Sequence, residues 1–212
     1  MVRKIMKRIS DEQIQEDLEN YRLRAIELGA NDAKIIPTDH VLVDDRVVAK
    51  CTYPKCVAYG TNINCPPYAM PPDTIRKVVS NFNYAVFIKL EIPSNIVAGP
   101  GAVDVNLNPW RKKLAEIVAK IEAEAFYDSY YLALGFASGS CKAIFCPKIE
   151  CNALTTGQPC RHALKARSAM EAVGMDAYSM ASEVGWDIFP IGMATLPSEV
   201  PYGLRLGLVL IH

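Results

Sequence analysis

Tyr84-Ala-Val-Phe-Ile-Lys-Leu-Glu-Ile92 is a β-branched, aromatic and apolar run, long enough and greasy enough for a buried strand. Downstream, Asn108-Pro109 opens a helix, because a proline in the first turn has no amide that the helix would leave unpaired. Trp110, Leu114, Ile117 and Ile121 then fall on one face of it. Residues 130–137 form a second apolar strand that delivers the chain to Cys141. Strand, helix and strand in that order predict a βαβ unit, of the right-handed kind. Upstream, Ser10-Asp-Glu-Gln13 reads as a capping box, and Ile14, Leu18, Tyr21, Ala25 and Leu28 continue at helical spacing to Gly29. Residues 41–43 and 47–49 flank Asp44-Asp45 and read as a short hairpin leading into Cys51. Short helices are expected over 72–79 and over 161–173, the second stopping at Gly174, and a terminal strand over 204–211. The expected fold class is α/β in the sense of mixed α+β layers: a central sheet, flanking helices, and cysteine loops at strand ends. The expectation is a single domain spanning 1–212.

The chain has 212 residues, half of them hydrophobic, which is ample for a core. Lys+Arg and Asp+Glu both number 23, so no cationic surplus argues for nucleic-acid binding. No apolar run approaches the roughly 20 residues that span a bilayer. The basic stretch 1–8 leads into polar 11–20 rather than into the apolar core of a secretion signal. A cytoplasmic protein, binding neither nucleic acid nor membrane, is expected.

Seven cysteines, an odd number without a secretory signal, argue against a disulfide framework. They fall into two groups: Cys51-x4-Cys56-x8-Cys65, and Cys141-x4-Cys146-x4-Cys151-x8-Cys160. Cys51, Cys56 and Cys65 recur as Cys146, Cys151 and Cys160, each 95 residues later. With Cys56-Val-Ala beside Cys151-Asn-Ala and Thr61 beside Thr156, this suggests an internal duplication, with halves around 31–80 and 130–180.

Clustered reduced thiols bind metal or do redox chemistry. A [4Fe–4S] cluster takes four ligands, and thiolate suits iron and inorganic sulfide. Cys141, Cys146, Cys151 and Cys160 can fill one cluster, whereas Cys51, Cys56 and Cys65 supply three ligands only. The position matching Cys141 is Arg46, which does not ligate iron. The first cluster would therefore have an open iron or a non-cysteine ligand, and one or two clusters are expected in all. Zinc is the alternative: four thiolates can close a tetrahedral site, although no gap here is the common x2 and His40 is the only histidine near the first group. Buried or redox-active thiols are the third reading. Pro54, Pro66, Pro67, Pro147 and Pro159 hold the ligand loops out of helices. Lys50, Lys55, Lys142, Lys148, Arg161, His162, Lys165 and Arg167 stand close in sequence, where they would offset cluster charge and lower the thiol pKa values, while Lys165 and Arg167 fit a solvated helix face equally well. A helix opening after Cys160 would aim its amides at that ligand. Gly99-Pro100-Gly101 reads as an ordinary mobile loop rather than a phosphate cradle, and His162 as a surface histidine.

Lys50-Cys51, Pro54-Lys55-Cys56, Tyr59-Gly60 and Cys65-Pro66-Pro67 resemble a family of predicted metal-binding proteins, domain of unknown function 2284. So do Gly139-x-Cys141, Cys146, Cys151, Pro159-Cys160-Arg161-His162, Lys165-Ala-Arg167 and Met170-Glu171-Ala172-x-Gly174-x-Asp176. The resemblance covers nearly the whole chain. Ser168 stands where the family often has proline, a helix detail rather than a ligand. What the resemblance implies is metal binding in a methanogen or another anaerobe, and so an archaeal setting; it implies no reaction. Two classes follow: an electron carrier or cluster-bearing redox subunit serving a partner protein, and an enzyme whose three-cysteine cluster offers an open iron for Lewis-acid or sulfur-transfer chemistry. A zinc-stabilised interaction module is the plain third class.

Overall fold

The computed structural model describes residues 2–6, 8–99 and 107–212. Helix α1 (Asp11–Glu27) starts where Ser10 Oγ accepts the Gln13 amide at 3.3 Å. The return half of the capping box does not form, because the Gln13 side chain donates to Glu16 and Asp17 instead. Ile14, Leu18, Tyr21 and Ala25 are buried along one stripe, each large apolar side chain contributing ~1.5–3 kcal/mol. Asp17 lies in the same stripe and is just as buried. It is tolerated because every side of its carboxylate is met: by the Arg3 guanidinium, by Tyr130 Oη at 2.8 Å and by Gln13 Nε2 at 3.1 Å.

Among the described residues four strands form one sheet, β1 (Asp32–Pro37), β2 (Tyr84–Pro93), β3 (Leu134–Phe136) and β4 (Tyr202–Leu210), in the order β1-β2-β4-β3. Every neighbouring pair is antiparallel. Val86 of β2 faces Ile35 on one side and Val209 on the other. The strand–helix–strand unit read from the sequence is present in split form. β2 and β3 both run against β4 and hence parallel to each other, with β4 inserted between them. Of the expected strand over 130–137, only Leu134–Phe136 pairs as a strand.

The period of two divides the sheet into faces. Val86, Ile88, Leu90 and Val209 point to α1 and to α5 (Asn108–Tyr127), whose Leu114, Ile117, Val118 and Ile121 complete that layer. Phe87, Leu206, Leu208 and Leu210 point the other way. They are covered by α3 (Pro72–Val79), by α8 (Ala177–Glu183), and by Met170, Val173, Met175 and Trp186. The fold is thus mixed α+β, as expected, and its layers number three. The first cysteine segment borders the irregular third layer, where Ala169 and Ala172 line its cavity, and the segment that carries Cys141 packs against α5. The two halves of the chain run through similar elements. The sequence α1, β1, α2 (Asp45–Thr52), α3, β2 is followed by α5, β3, α6 (Cys141–Phe145), α8, β4. Two shorter helices, α4 (Ser94–Val97) and α7 (Asn152–Thr155), stand outside this correspondence.

Two expected elements are replaced. The hairpin over 41–49 is not formed, because Asp44 caps α2, its carboxylate accepting the Arg46 amide at 2.8 Å. Val43 pairs instead with Met175 across the chain. The helix over 161–173 is not formed either. Ala137 donates to Ser168 O at 2.9 Å and Met170 donates to Ala137 O at 3.0 Å, so that segment extends alongside the end of β3. Only a 3₁₀ turn, Glu171–Val173, remains before Gly174. The Gly99-Pro100-Gly101 loop lies outside the described residues apart from Gly99. No helix among the described residues is long and apolar enough to cross a membrane.

Candidate metal centre

Each cysteine group is launched by a short helix. Cys51 lies in the last turn of α2, and the Cys56 amide donates to Cys51 O at 3.0 Å, folding the intervening residues into a turn. Cys65 is buried in the next turn, with Tyr68 and Ala69 donating to its carbonyl. Cys51, Cys56 and Cys65 line one cavity of 130 Å³ together with Tyr59, Ser140 and Glu171. Gly139 is part of the same wall; its φ of +76° is one that a side chain would strain, and Arg111 packs close against its Cα.

Cys141 opens α6, Cys146 ends it, and Cys151 stands immediately before α7, its carbonyl accepting from Leu154 and Thr155. Cys160 lies in the turn that follows. Cys141, Cys146, Cys151 and Cys160 line a second, narrower cavity with Asn62, Asn64, Phe145 and His162. Its 20 Å³ is about the room for one water.

The loop between Cys56 and Cys65 joins the two groups. Asn62 is buried; its amide nitrogen donates to Ser140 Oγ at 3.2 Å, and its oxygen accepts from the Asn64 amide at 3.0 Å and from Cys141 Sγ at 3.4 Å. Asn64 Nδ2 donates to the same sulfur at 3.4 Å. Asn62 and Ser140 also hydrogen-bond Cys65. Cys65 and Cys141 therefore share a polar shell, and the charge of Cys65 is felt at Cys141. The groups, distant in sequence, meet at one place.

Burial is the largest influence on Cys51, Cys65, Cys141 and Cys146. Cys141 is pushed up to about 11, first by desolvation and then by Cys65, Cys160 and Cys151, against the lowering bond from Asn64. Cys65 is raised by burial against the lowering bonds of Asn62 and Ser140. Cys51 is raised by burial, then by Cys56, Cys65 and the Glu171 carboxylate. Cys146 is raised by burial and Cys160, with Arg161 and Lys142 lowering it too little to reverse the sign. Of the cations expected to lower these pKa values, Arg161 and Lys142 do act on Cys146, but burial outweighs them, and several of the cations have partners of their own. Lys165 binds Glu116 at 2.9 Å and Arg167 binds Glu122, tying the second group's loop to α5. Lys142 donates to Ile149 O and Arg161 to Glu150 O. Arg46 pairs with Asp44.

His40 stands 3.6 Å from Glu183 and lines neither cysteine cavity. His162 stacks on Phe145, ring centroids 5.3 Å apart, and its backbone amide donates to Cys160 Sγ at 3.4 Å. That single amide does what the expected helix terminus was to do. Between the groups a wider cleft of 480 Å³ is bordered by Cys56, Thr61, Asn108, Arg111, Ser140 and Lys142.

All seven candidate ligands thus stand at two adjoining cavities, and the donor set is wholly thiol, which suits iron and sulfide or zinc over harder ions. Among the described residues no three His, Cys, Asp or Glu side chains are gathered as the ligands of a single metal ion. A four-iron cluster spreads its thiolates more widely than one ion does and demands less closing of these loops. Sequence reading missed Asn62, Asn64, Ser140 and Glu171. Asn62-x-Asn64 inside the eight-residue gap was the available signal for the first two.

A family model described as predicted metal-binding protein (DUF2284) matches residues 34–211. No curated protein and no solved structure matches the chain.

Proposed function

This chain belongs to the DUF2284 family of predicted metal-binding proteins, and on that premise we propose that its seven cysteines hold iron–sulfur clusters that carry electrons to and from a partner protein. Cys141, Cys146, Cys151 and Cys160 hold one cluster, and Cys51, Cys56 and Cys65 hold a second. The observation that carries this reading is the polar shell of Asn62, which touches Cys141 at 3.4 Å and also hydrogen-bonds Cys65. Two redox centres set side by side make a relay, and a relay needs no substrate pocket.

A bound [4Fe–4S] cluster supplies a one-electron couple whose potential depends on hydrogen bonds to sulfur and on solvent exposure. The chain's part is to set both. Asn64 Nδ2 and the His162 amide each donate to a ligand sulfur, and burial of Cys65 and Cys141 keeps water from the inner side. The repeated order of elements, with edge strands β1 and β3 each preceding a cysteine segment, supports an internal duplication in which the second half gained Cys141.

The test is electron paramagnetic resonance of the fully reduced protein, prepared without oxygen. Two neighbouring reduced clusters give a broadened, spin-coupled spectrum, which becomes a simple one-cluster signal in C56S. Two independent signals, unchanged in shape by loss of either group, would contradict the relay.

A second reading rests on the 480 Å³ cleft beside Cys56, where Arg111 and Lys142 suit an anion. Under that reading the three-cysteine cluster is catalytic. Cyanide or sulfide would then perturb the spectrum of the unmodified protein.

A further inference from the structure

The three-cysteine group lacks a thiol where the second group has Cys141, and the matching residue, Arg46, is 90% exposed and paired with Asp44. Glu171 lines the same cavity as Cys51, Cys56 and Cys65, and among the described residues its Oε2 is buried without a hydrogen-bond partner. A buried carboxylate oxygen with no donor is unfavourable unless something positive or protic meets it. Its neighbours across the cavity are the thiols, which become anionic as ligands and cannot be that partner. We propose that Glu171 is the fourth ligand of the three-cysteine site, giving a donor set of three thiolates and one carboxylate beside the all-thiolate set of the second group. This rests on the iron–sulfur reading above and deepens it.

The scaffold presents Glu171 rigidly to the helix that carries Cys51. Glu171 begins the 3₁₀ turn that ends at Gly174, whose φ of +92° and close approach to Pro72 exclude a side chain there. Gly174 O accepts the Asp44 amide at 2.8 Å, and Asp176 donates to Leu42 O at 2.8 Å. The turn bearing the carboxylate is thereby clamped to the start of α2, whose last turn carries Cys51. Glu171 also borders a separate 370 Å³ cleft with Ser138, Tyr178 and Arg205, so it stands between that cleft and the cysteine cavity. A carboxylate is a harder and more readily displaced ligand to iron than thiolate. The carboxylate-ligated cluster should therefore have the higher potential of the two.

The experiment compares unmodified protein, E171A and E171C, all purified without oxygen, by iron and sulfide content, redox titration and cyanide-coupled electron–nuclear double resonance. C56S assigns the first-site signal. The unmodified protein should show no cyanide coupling at that signal, E171A should show it, and E171C should close the site again with a lower potential. An E171A protein with native iron content, native potential and no cyanide coupling overturns the ligand while leaving the clusters standing. Cyanide coupling already present in the unmodified protein overturns it equally, since the iron is then open. Unmodified protein without iron or sulfide overturns the parent reading, and Glu171 with it.

Discussion

Replacing Asn62 by alanine should loosen the junction between the two cysteine groups. The asparagine is buried and makes bonds to the Asn64 amide at 3.0 Å, to Ser140 Oγ at 3.2 Å, to Thr61 Oγ1 at 3.3 Å and to Cys141 Sγ at 3.4 Å. The two hydroxyls lose only a donor, and each can still donate elsewhere, as Thr61 does to Ala58 O, whereas the Asn64 amide hydrogen is fixed and loses its acceptor. An orphaned buried donor costs about 1–3 kcal/mol, and the remaining long bonds add about 1 kcal/mol together. A loss of about 2–4 kcal/mol in a chain of this size lowers Tm by about 5–12 °C. The assay is thermal unfolding followed by circular dichroism, with N81A as control. Asn81 donates only to Lys77 O on an exposed surface, and its loss should move Tm by less than about 2 °C. If N62A melts as close to the unmodified protein as N81A is expected to, Asn62 does not hold the junction and the polar shell assigned to it is refuted.

Y130F removes the hydroxyl that donates to the buried Asp17 carboxylate at 2.8 Å, and a bond to a charged group contributes about 1.5–3 kcal/mol, so the urea midpoint should fall accordingly. A change under about 0.5 kcal/mol, the scale of an ordinary surface substitution, would show that Arg3 and Gln13 satisfy Asp17 without Tyr130. The Asp44 carboxyl is lowered to about 2, first by the Arg46 side chain and then by the Arg46 amide. A lowered carboxyl stabilises the fold above its ordinary value of 3.8, and the contribution fades as pH falls through about 2. The stability difference between the unmodified protein and D44N, measured by urea unfolding, should therefore shrink as pH falls from well above that ordinary value to about 2; a difference constant over that range would contradict the cap.

What the sequence makes legible follows from how far each feature depends on distant partners. α1, α3, α5, β2 and β4 can be read from local periodicity, because a repeating apolar stripe or run needs only a core to face. The residues 41–49 and 161–173 are misread where a partner outside the window intervenes. Met175 takes Val43, and Ala137 takes the backbone of residues 168–170. The cysteine spacing points to two ligand groups. That the groups adjoin is hidden, since it depends on Asn62 and Asn64 reaching Cys141 across the chain. Glu171 is legible only as part of a motif without a role, because its chemistry appears when the fold sets it against Cys51 and Cys65. Asp17, at helical spacing from Ile14 and Tyr21, could be flagged as a buried acid from the stripe alone.

Whether the two thiol groups hold iron–sulfur clusters is decided by metal analysis. Protein purified without oxygen should contain about eight irons per chain with matching acid-labile sulfide, falling to about four in C160S or in C56S. Zinc without sulfide would refute the clusters and leave a structural metal module in their place.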